Sequence, residues 1–198
     1  MAKVKVLRSD GKKKWWQEYN VETRKRDTVL DILQKIRDTQ DHSLAFRYSC
    51  QMGSCGSCGM VINGKPRLAC QTRVEELNSD VIQIEPLYNY PVIKDLVVDL
   101  TDFLDKHRSV KPYMIRKNPE ELENAPMEFK VTPEENLKFI QYTYCIVCGL
   151  CLAACPTVAI DPHFLGPQAL AQAYRYIADP FPIFDFSSRS HFISKISL

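Results

Sequence analysis

Eight cysteines in two groups are the residues of this 198-residue chain that could do chemistry. The first group reads Cys50-Gln-Met-Gly-Ser-Cys55-Gly-Ser-Cys58, and after eleven more residues comes Cys70. Three thiols spaced C-x4-C-x2-C, with a fourth further on, is the ligand pattern of a plant-type 2Fe–2S cluster. Such a centre needs four sulfurs around a small inorganic core, so the backbone must wrap closely around them. Gly53, Gly56 and Gly59 lie among the cysteines, and glycine permits the positive φ and close approach that the loop requires. Amides in such a loop can also point at sulfur and tune the potential. Other readings compete with this one. A disulfide framework needs an oxidising compartment, and the opening Met-Ala-Lys-Val-Lys carries no apolar signal segment. A structural zinc site usually pairs two C-x2-4-C knuckles, whereas one loop here holds three cysteines and the fourth stands alone.

The second group is Cys145-Ile-Val-Cys148-Gly-Leu-Cys151-Leu-Ala-Ala-Cys155-Pro156, or C-x2-C-x2-C-x3-C-P. This is cubane spacing, in which the first three thiolates wrap one corner of a 4Fe–4S cluster and the fourth serves another cluster. No cysteine follows Cys155. By counting, only the first group has a full ligand set.

The elements that position these cysteines follow from periodicity and turn chemistry. Lys3 to Arg8 alternates with Val4 and Val6 on one face, Asp10-Gly11 marks a turn, and Trp15 to Val21 is a second strand. Thr28-Val-Leu-Asp31 resembles a capping box, with Asp in place of Glu. Ile32, Leu33 and Ile36 then predict a helix over about Val29 to Thr39. Met60 to Ile62 and Lys65 to Ala69 flank Asn63-Gly64, the signature of a tight hairpin. Val81 to Glu85 adds a strand. This order predicts a β-grasp 2Fe–2S ferredoxin domain over residues 1–106, in an α+β chain. Leu96, Val97, Leu100, Phe103 and Leu104 predict an amphipathic helix from Asp95 to His107, packed across the end of that domain. Pro112, Pro119 and Pro126 mark a connection over 107–131. Thr132-Pro133-Glu134-Glu135 is a capping box opening a helix that runs into Cys145, and Pro167 to Ile177 reads as another helix. Residues 132–198 form the second domain.

Composition narrows the function. A hydrophobic fraction of 45% supports real cores, and a net charge of +2 does not call for nucleic acid as a partner. Residues 1–26 hold nine Lys or Arg against three Asp or Glu, which reads as a solvated strand surface. No run of about 18 apolar residues predicts a membrane span. The chain has no dinucleotide Gly-rich turn, and His42, His107, His163 and His191 are scattered without a partner motif, so no catalytic residue is expected.

A plant-type cysteine group followed by a bacterial-type one resembles the iron–sulfur subunit of succinate dehydrogenase or fumarate reductase. The resemblance rests on Phe46-Arg47-Tyr48-Ser49-Cys50, Cys55-Gly-Ser-Cys58-Gly, Ile62-Asn63-Gly64, Leu68-Ala69-Cys70, Pro86-Leu87 and Val92-Ile93-Lys94-Asp95-Leu96. Cys145 to Pro156 and Phe164-Leu165-Gly166-Pro167 extend it over residues 1 to 178. It implies that an α-helical ferredoxin domain follows the β-grasp domain. It implies Cys50, Cys55, Cys58 and Cys70 as 2Fe–2S ligands. Cys145, Cys148 and Cys151 match three ligands of a 4Fe–4S cluster, and Cys155 matches one ligand of a 3Fe–4S cluster. The implied partners are an FAD flavoprotein subunit that exchanges electrons with succinate or fumarate and a membrane anchor that binds quinone. The implied location is the cytoplasmic face of the membrane. Two departures stand out. The family's downstream cysteines, including a second Cys-Pro, are absent, and after about Asp179 the resemblance stops, as a truncation or frameshift would produce. In addition, Thr157 follows Pro156 where many members carry tryptophan, and it reads equally as a quinone neighbour or a helix cap. The alternatives are the iron–sulfur subunit of a heterodisulfide-reductase-like or glycolate-oxidase-like complex, a zinc-binding module, and a degenerate product folding only its first domain.

Overall fold

The computed structural model describes residues 1–115, 120–124, 128 and 130–180. Pro119, Pro126, His191 and the tail from residue 181, read above as departing from the family, lie outside the described residues. The described chain forms two compact units, residues 1–100 with 146–154 and the remainder.

In the first unit, β1 (Ala2–Ser9) and β2 (Lys14–Val21) form an antiparallel hairpin. β3 (Gly59–Ile62) and β4 (Lys65–Leu68) form a second, and β5 (Val81–Glu85) lies between the pairs in the order β2-β1-β5-β3-β4. β1 and β5 run parallel, which requires the crossover through α1 (Val29–Thr39). Helix α1 begins where its cap predicts. The Thr28 hydroxyl accepts from the Asp31 amide at 3.2 Å, and the Asp31 carboxylate accepts from the Thr28 amide at 2.8 Å. Its apolar face buries Ile32, Leu33 and Ile36 against Val4, Val6, Ile82 and Ile84 of the sheet. Each such side chain contributes about 1.5–3 kcal/mol on burial.

The predicted Asp95–His107 helix needs correction. Asp95 has φ 49, in the left-handed region, and Leu96 follows it in a turn. That turn joins β6 (Val92–Lys94) to β7 (Val97–Val98), an antiparallel pair. The helix, α2 (Thr101–Ser109), starts six residues later than expected and packs on α8 (Pro167–Ile177) within the second unit. The apolar residues counted as one stripe serve two elements: Leu96 and Val98 are buried in the first unit, and Phe103 is buried in α2.

The second unit also holds α3 (Glu120–Glu123), α4 (Pro133–Leu137), α5 (Ile140–Thr143) and α7 (Pro156–Ile160). Thr132 and Glu135 make the expected capping box, but the helix breaks after Leu137 and restarts at Ile140. Val110, Ala169 and Ala173 form its small core, and Gln172 on α8 donates to the Tyr142 carbonyl at 3.1 Å. Among the described residues no helix is long and apolar enough to cross a membrane.

Candidate iron–sulfur site

The β3–β4 hairpin brings two of the four first-group cysteines together. Asn63 and Gly64 take φ 47 and 75, the two left-handed positions of a type I′ turn, and this sets Gly59 opposite Leu68. Cys58 just precedes β3, and the Ala69 amide donates to its carbonyl at 3.0 Å. Cys70 follows in a single 3-10 turn, Ala69–Gln71. Both cysteines are buried, and burial, with the neighbouring Cys70 thiol acting in the same direction, pushes the Cys58 thiol up. That turn is tied to α1 by the Val29 amide, which donates to the Thr72 carbonyl at 2.9 Å. The Gln71 side-chain amide donates to the Cys70 carbonyl at 3.2 Å and reaches its Sγ at 3.8 Å.

Cys50 and Cys55 form the second pair, on the exposed rim. The chain coils around Cys50 with Gln51 at φ 59 and Gly53 at φ 75. The Cys50 Sγ then accepts from the amides of Met52 at 3.5 Å, Ser54 at 3.3 Å and Cys55 at 3.2 Å. The Cys50 amide donates to the Cys55 Sγ at 3.5 Å. The Ser57 hydroxyl, with the Cys50 and Ser57 amides, pulls the Cys55 thiol down to about 6. These donors favour negative sulfur, which is the state a metal-bound thiolate needs. Among the described residues no three His, Cys, Asp or Glu side chains converge as a single-ion site. The first-group thiols are presented as two pairs, Cys50–Cys55 and Cys58–Cys70, which fits two irons with two thiolates each.

The segment entering the loop is held by residues that the sequence reading missed. Arg8 sits on the core face of β1 in line with Val4 and Val6, and it is 4% exposed. Its Nε donates to the Asp95 Oδ1 at 2.8 Å, and its other nitrogens donate to Tyr19 and Ser43 at 2.9 Å and to Asp41. Burial opposes the Arg8 charge, but hydrogen bonds to Asp95 and Tyr19 outweigh it and raise its pKa. Asp95, fully buried, also accepts from the Ser9 amide at 3.1 Å and, through Oδ2, from the Ala45 amide at 2.8 Å. Ala45 opens the run to Cys50. The available signal was the position of Arg8 in an apolar alternation, since a buried guanidinium requires a buried carboxylate. Further along the run, Arg37 lies over the rings of Phe46 at 5.0 Å and Tyr48 at 5.4 Å.

Of the second group, Cys148 and Cys151 lie in the first compact unit, and Cys145 and Cys155 in the second. Cys151 is on α6 (Leu150–Ala153) and Cys155 is the N-cap residue of α7. Thr157 therefore lies inside α7 rather than capping it. Val147 has φ 55. For a β-branched residue this is an outlier costing about 1–3 kcal/mol, of the kind that collects at functional sites.

Comparison with known proteins agrees with this geometry. Residues 3–105 match the model of a 2Fe-2S iron-sulfur cluster binding domain, and residues 139–161 match that of a 4Fe-4S binding domain. The chain is 46% identical to a fumarate reductase iron-sulfur subunit of Mycobacterium tuberculosis over 164 residues, covering 83% of this chain and 66% of the relative. It is 43% identical to a succinate dehydrogenase iron-sulfur subunit of Paracoccus denitrificans over 152 residues, covering 76% of this chain and 57% of the relative. The chain thus spans less than two thirds of the length of these relatives. A chain of the Mycobacterium smegmatis Sdh1 complex in its apo form superposes with a TM-score of 0.84 at 31% identity, covering 98% of this chain and 80% of that one. With a β-grasp 2Fe–2S domain followed by a helical 4Fe–4S domain, the chain belongs to the family of succinate dehydrogenase and fumarate reductase iron–sulfur subunits.

Proposed function

We propose that this chain relays single electrons between an FAD flavoprotein that acts on succinate or fumarate and a quinone held by a membrane anchor. The observation that carries the reading is the pairing of four thiols, Cys50 with Cys55 in an amide-lined loop and Cys58 with Cys70 at the two ends of the β3–β4 hairpin. In this reading Cys50 with Cys55 and Cys58 with Cys70 hold a 2Fe–2S cluster. Cys145, Cys148 and Cys151 hold three corners of a 4Fe–4S cluster, and Cys155 reaches toward a 3Fe–4S cluster. When bound, such clusters supply one-electron redox centres. The protein's part is to exclude water from the Cys58–Cys70 end and to direct amide donors at the Cys50 sulfur. No side chain on the chain performs substrate chemistry in this scheme. The domain division into 1–106, 107–131 and 132–198 belongs to the same proposal, with Ile146–Ala154 packing inside the first compact unit. So does attachment to the cytoplasmic face of the membrane through partner subunits.

The test is reduction by substrate. Mixed with a flavoprotein subunit of the family, the chain is expected to develop the paramagnetic signal of a reduced 2Fe–2S centre on adding succinate. Without the flavoprotein, only dithionite should produce it. A cluster that dithionite reduces but that succinate and flavoprotein leave oxidised would overturn the partner assignment.

A further inference from the structure

Residues Ile146–Ala154 are held in the first unit by contacts to their main chain. The Tyr90 hydroxyl donates to the Gly149 carbonyl at 3.0 Å. The Asn89 side-chain amide donates to the Leu152 carbonyl at 2.9 Å and to that of Ala153 at 3.4 Å. Asn89 takes φ 64, and two adjacent side chains thereby reach the same segment. Ala153 packs with Val61, Leu87 and Val98, and Leu150 and Tyr90 pack against that cluster. The same segment meets the first cysteine loop at Gly56. A Cβ added to Gly56 would stand 2.8 Å from both the Cα and the Cβ of Cys148. A Cβ on Gly149 would stand 2.5 Å from the Tyr90 hydroxyl oxygen. Glycine at both points allows a closer approach than any other residue would.

We propose that Asn89 and Tyr90 form a latch that presses the main chain at Cys148 onto Gly56, and so sets the gap that an electron crosses between the two cysteine groups. The inference rests on the reading that both groups hold iron–sulfur clusters. Electron tunnelling falls steeply with distance, so a fixed backbone contact between two centres is worth holding rigidly. The hydrogen bonds of the latch end on main-chain carbonyls, so they act on distance through the backbone. Asn89 and Tyr90 are positioning residues.

The test uses the full chain with Tyr90→Phe and Asn89→Ala, singly and combined, and reads three quantities. Iron and sulfide content reports whether clusters form at all. Amide exchange reports the hold on Ile146–Ala154, and it is expected to rise about fivefold for each hydrogen bond lost, with the β1–β5 sheet unchanged. The spin–spin interaction between the two reduced centres reports the gap, and it is expected to weaken in the combined variant. Tyr90→Phe keeps the ring packing, so it separates the hydrogen bond from the core. Unchanged exchange in Ile146–Ala154 overturns the latch. Raised exchange with undiminished coupling between the centres overturns its role in electron transfer. A wild-type chain that binds clusters only at Cys50–Cys70 removes the second centre and overturns the inference while leaving the first-group reading intact. A wild-type chain with no iron overturns both.

Discussion

Asp95→Asn is expected to destabilise the first unit by about 3–5 kcal/mol, the cost of breaking a buried ion pair by removing one partner. Asp95 is fully buried and accepts from Arg8, Ser9 and Ala45. An asparagine there turns one acceptor into a donor that faces another donor, and leaves the Arg8 charge short of a counterion. The loss goes beyond stability. The same carboxylate fixes the Ala45 amide, and the Leu96 amide donates to the Ala45 carbonyl at 3.2 Å, so both holds on the segment entering the Cys50 loop come loose together. Urea denaturation measures the first effect, and the rate of iron loss to a chelator measures the second. Asp38→Asn is the control. Its pair with Arg37 is solvent-exposed, and the expected change is within about 0.5 kcal/mol. A loss below about 1 kcal/mol at Asp95 would mean that the network carries little of the fold. The network also has a pH signature. Asp41 is held well below the ordinary carboxylate range, first by the Ser43 and Tyr19 hydroxyls and then by Arg8. Its folded pKa is depressed, so its contribution is complete above the unfolded value of about 3.9 and is lost as pH falls through the folded value.

Gly56→Ala is the second large effect. Gly56 has φ 73, where an L-residue costs about 1–2 kcal/mol. The added methyl would also meet the Cα and Cβ of Cys148 at 2.8 Å, and neither atom can rotate away as the end of a long side chain can. Gly64→Ala separates the two contributions. Gly64 has nearly the same φ, 75, but a Cβ there meets nothing within 4 Å. Gly64→Ala should therefore cost only the left-handed strain. Gly56→Ala should exceed it by about 1–3 kcal/mol, the usual cost of overpacking. It should also raise amide exchange in Ile146–Ala154. Equal losses for the two variants would mean that the Cys148 segment yields freely and that the contact carries no strain.

Much of this was legible in the sequence, for reasons that are local. The Thr28 and Thr132 caps, the Asn63-Gly64 turn and the strand alternation around Val4 and Val6 each depend on residues within four positions of one another. Cysteine spacing is equally local: Cys50, Cys55 and Cys58 occupy one loop. What was not legible depends on contacts across long separations. The Arg8–Asp95 pair joins residues 87 apart, and nothing near Asp95 reveals a partner on β1. The Asp95–His107 stripe misled because residues from a β-turn and from a helix happened to share a helical period. The contact between Gly56 and Cys148 was hidden for a related reason. Glycine within a cysteine loop was read as freedom for that loop's own backbone, whereas at Gly56 it also makes room for another segment.

The central claim is that Cys50, Cys55, Cys58 and Cys70 hold a two-iron cluster. It is tested most directly by measuring iron, zinc and acid-labile sulfide in the anaerobically purified chain, beside a Cys70→Ser variant. The expected result is about two irons with matching sulfide at this site, with any iron above that number assigned to the second cysteine group, little zinc, and loss of the two-iron share in Cys70→Ser. Zinc in place of iron, or an iron content that Cys70→Ser leaves unchanged, would contradict it.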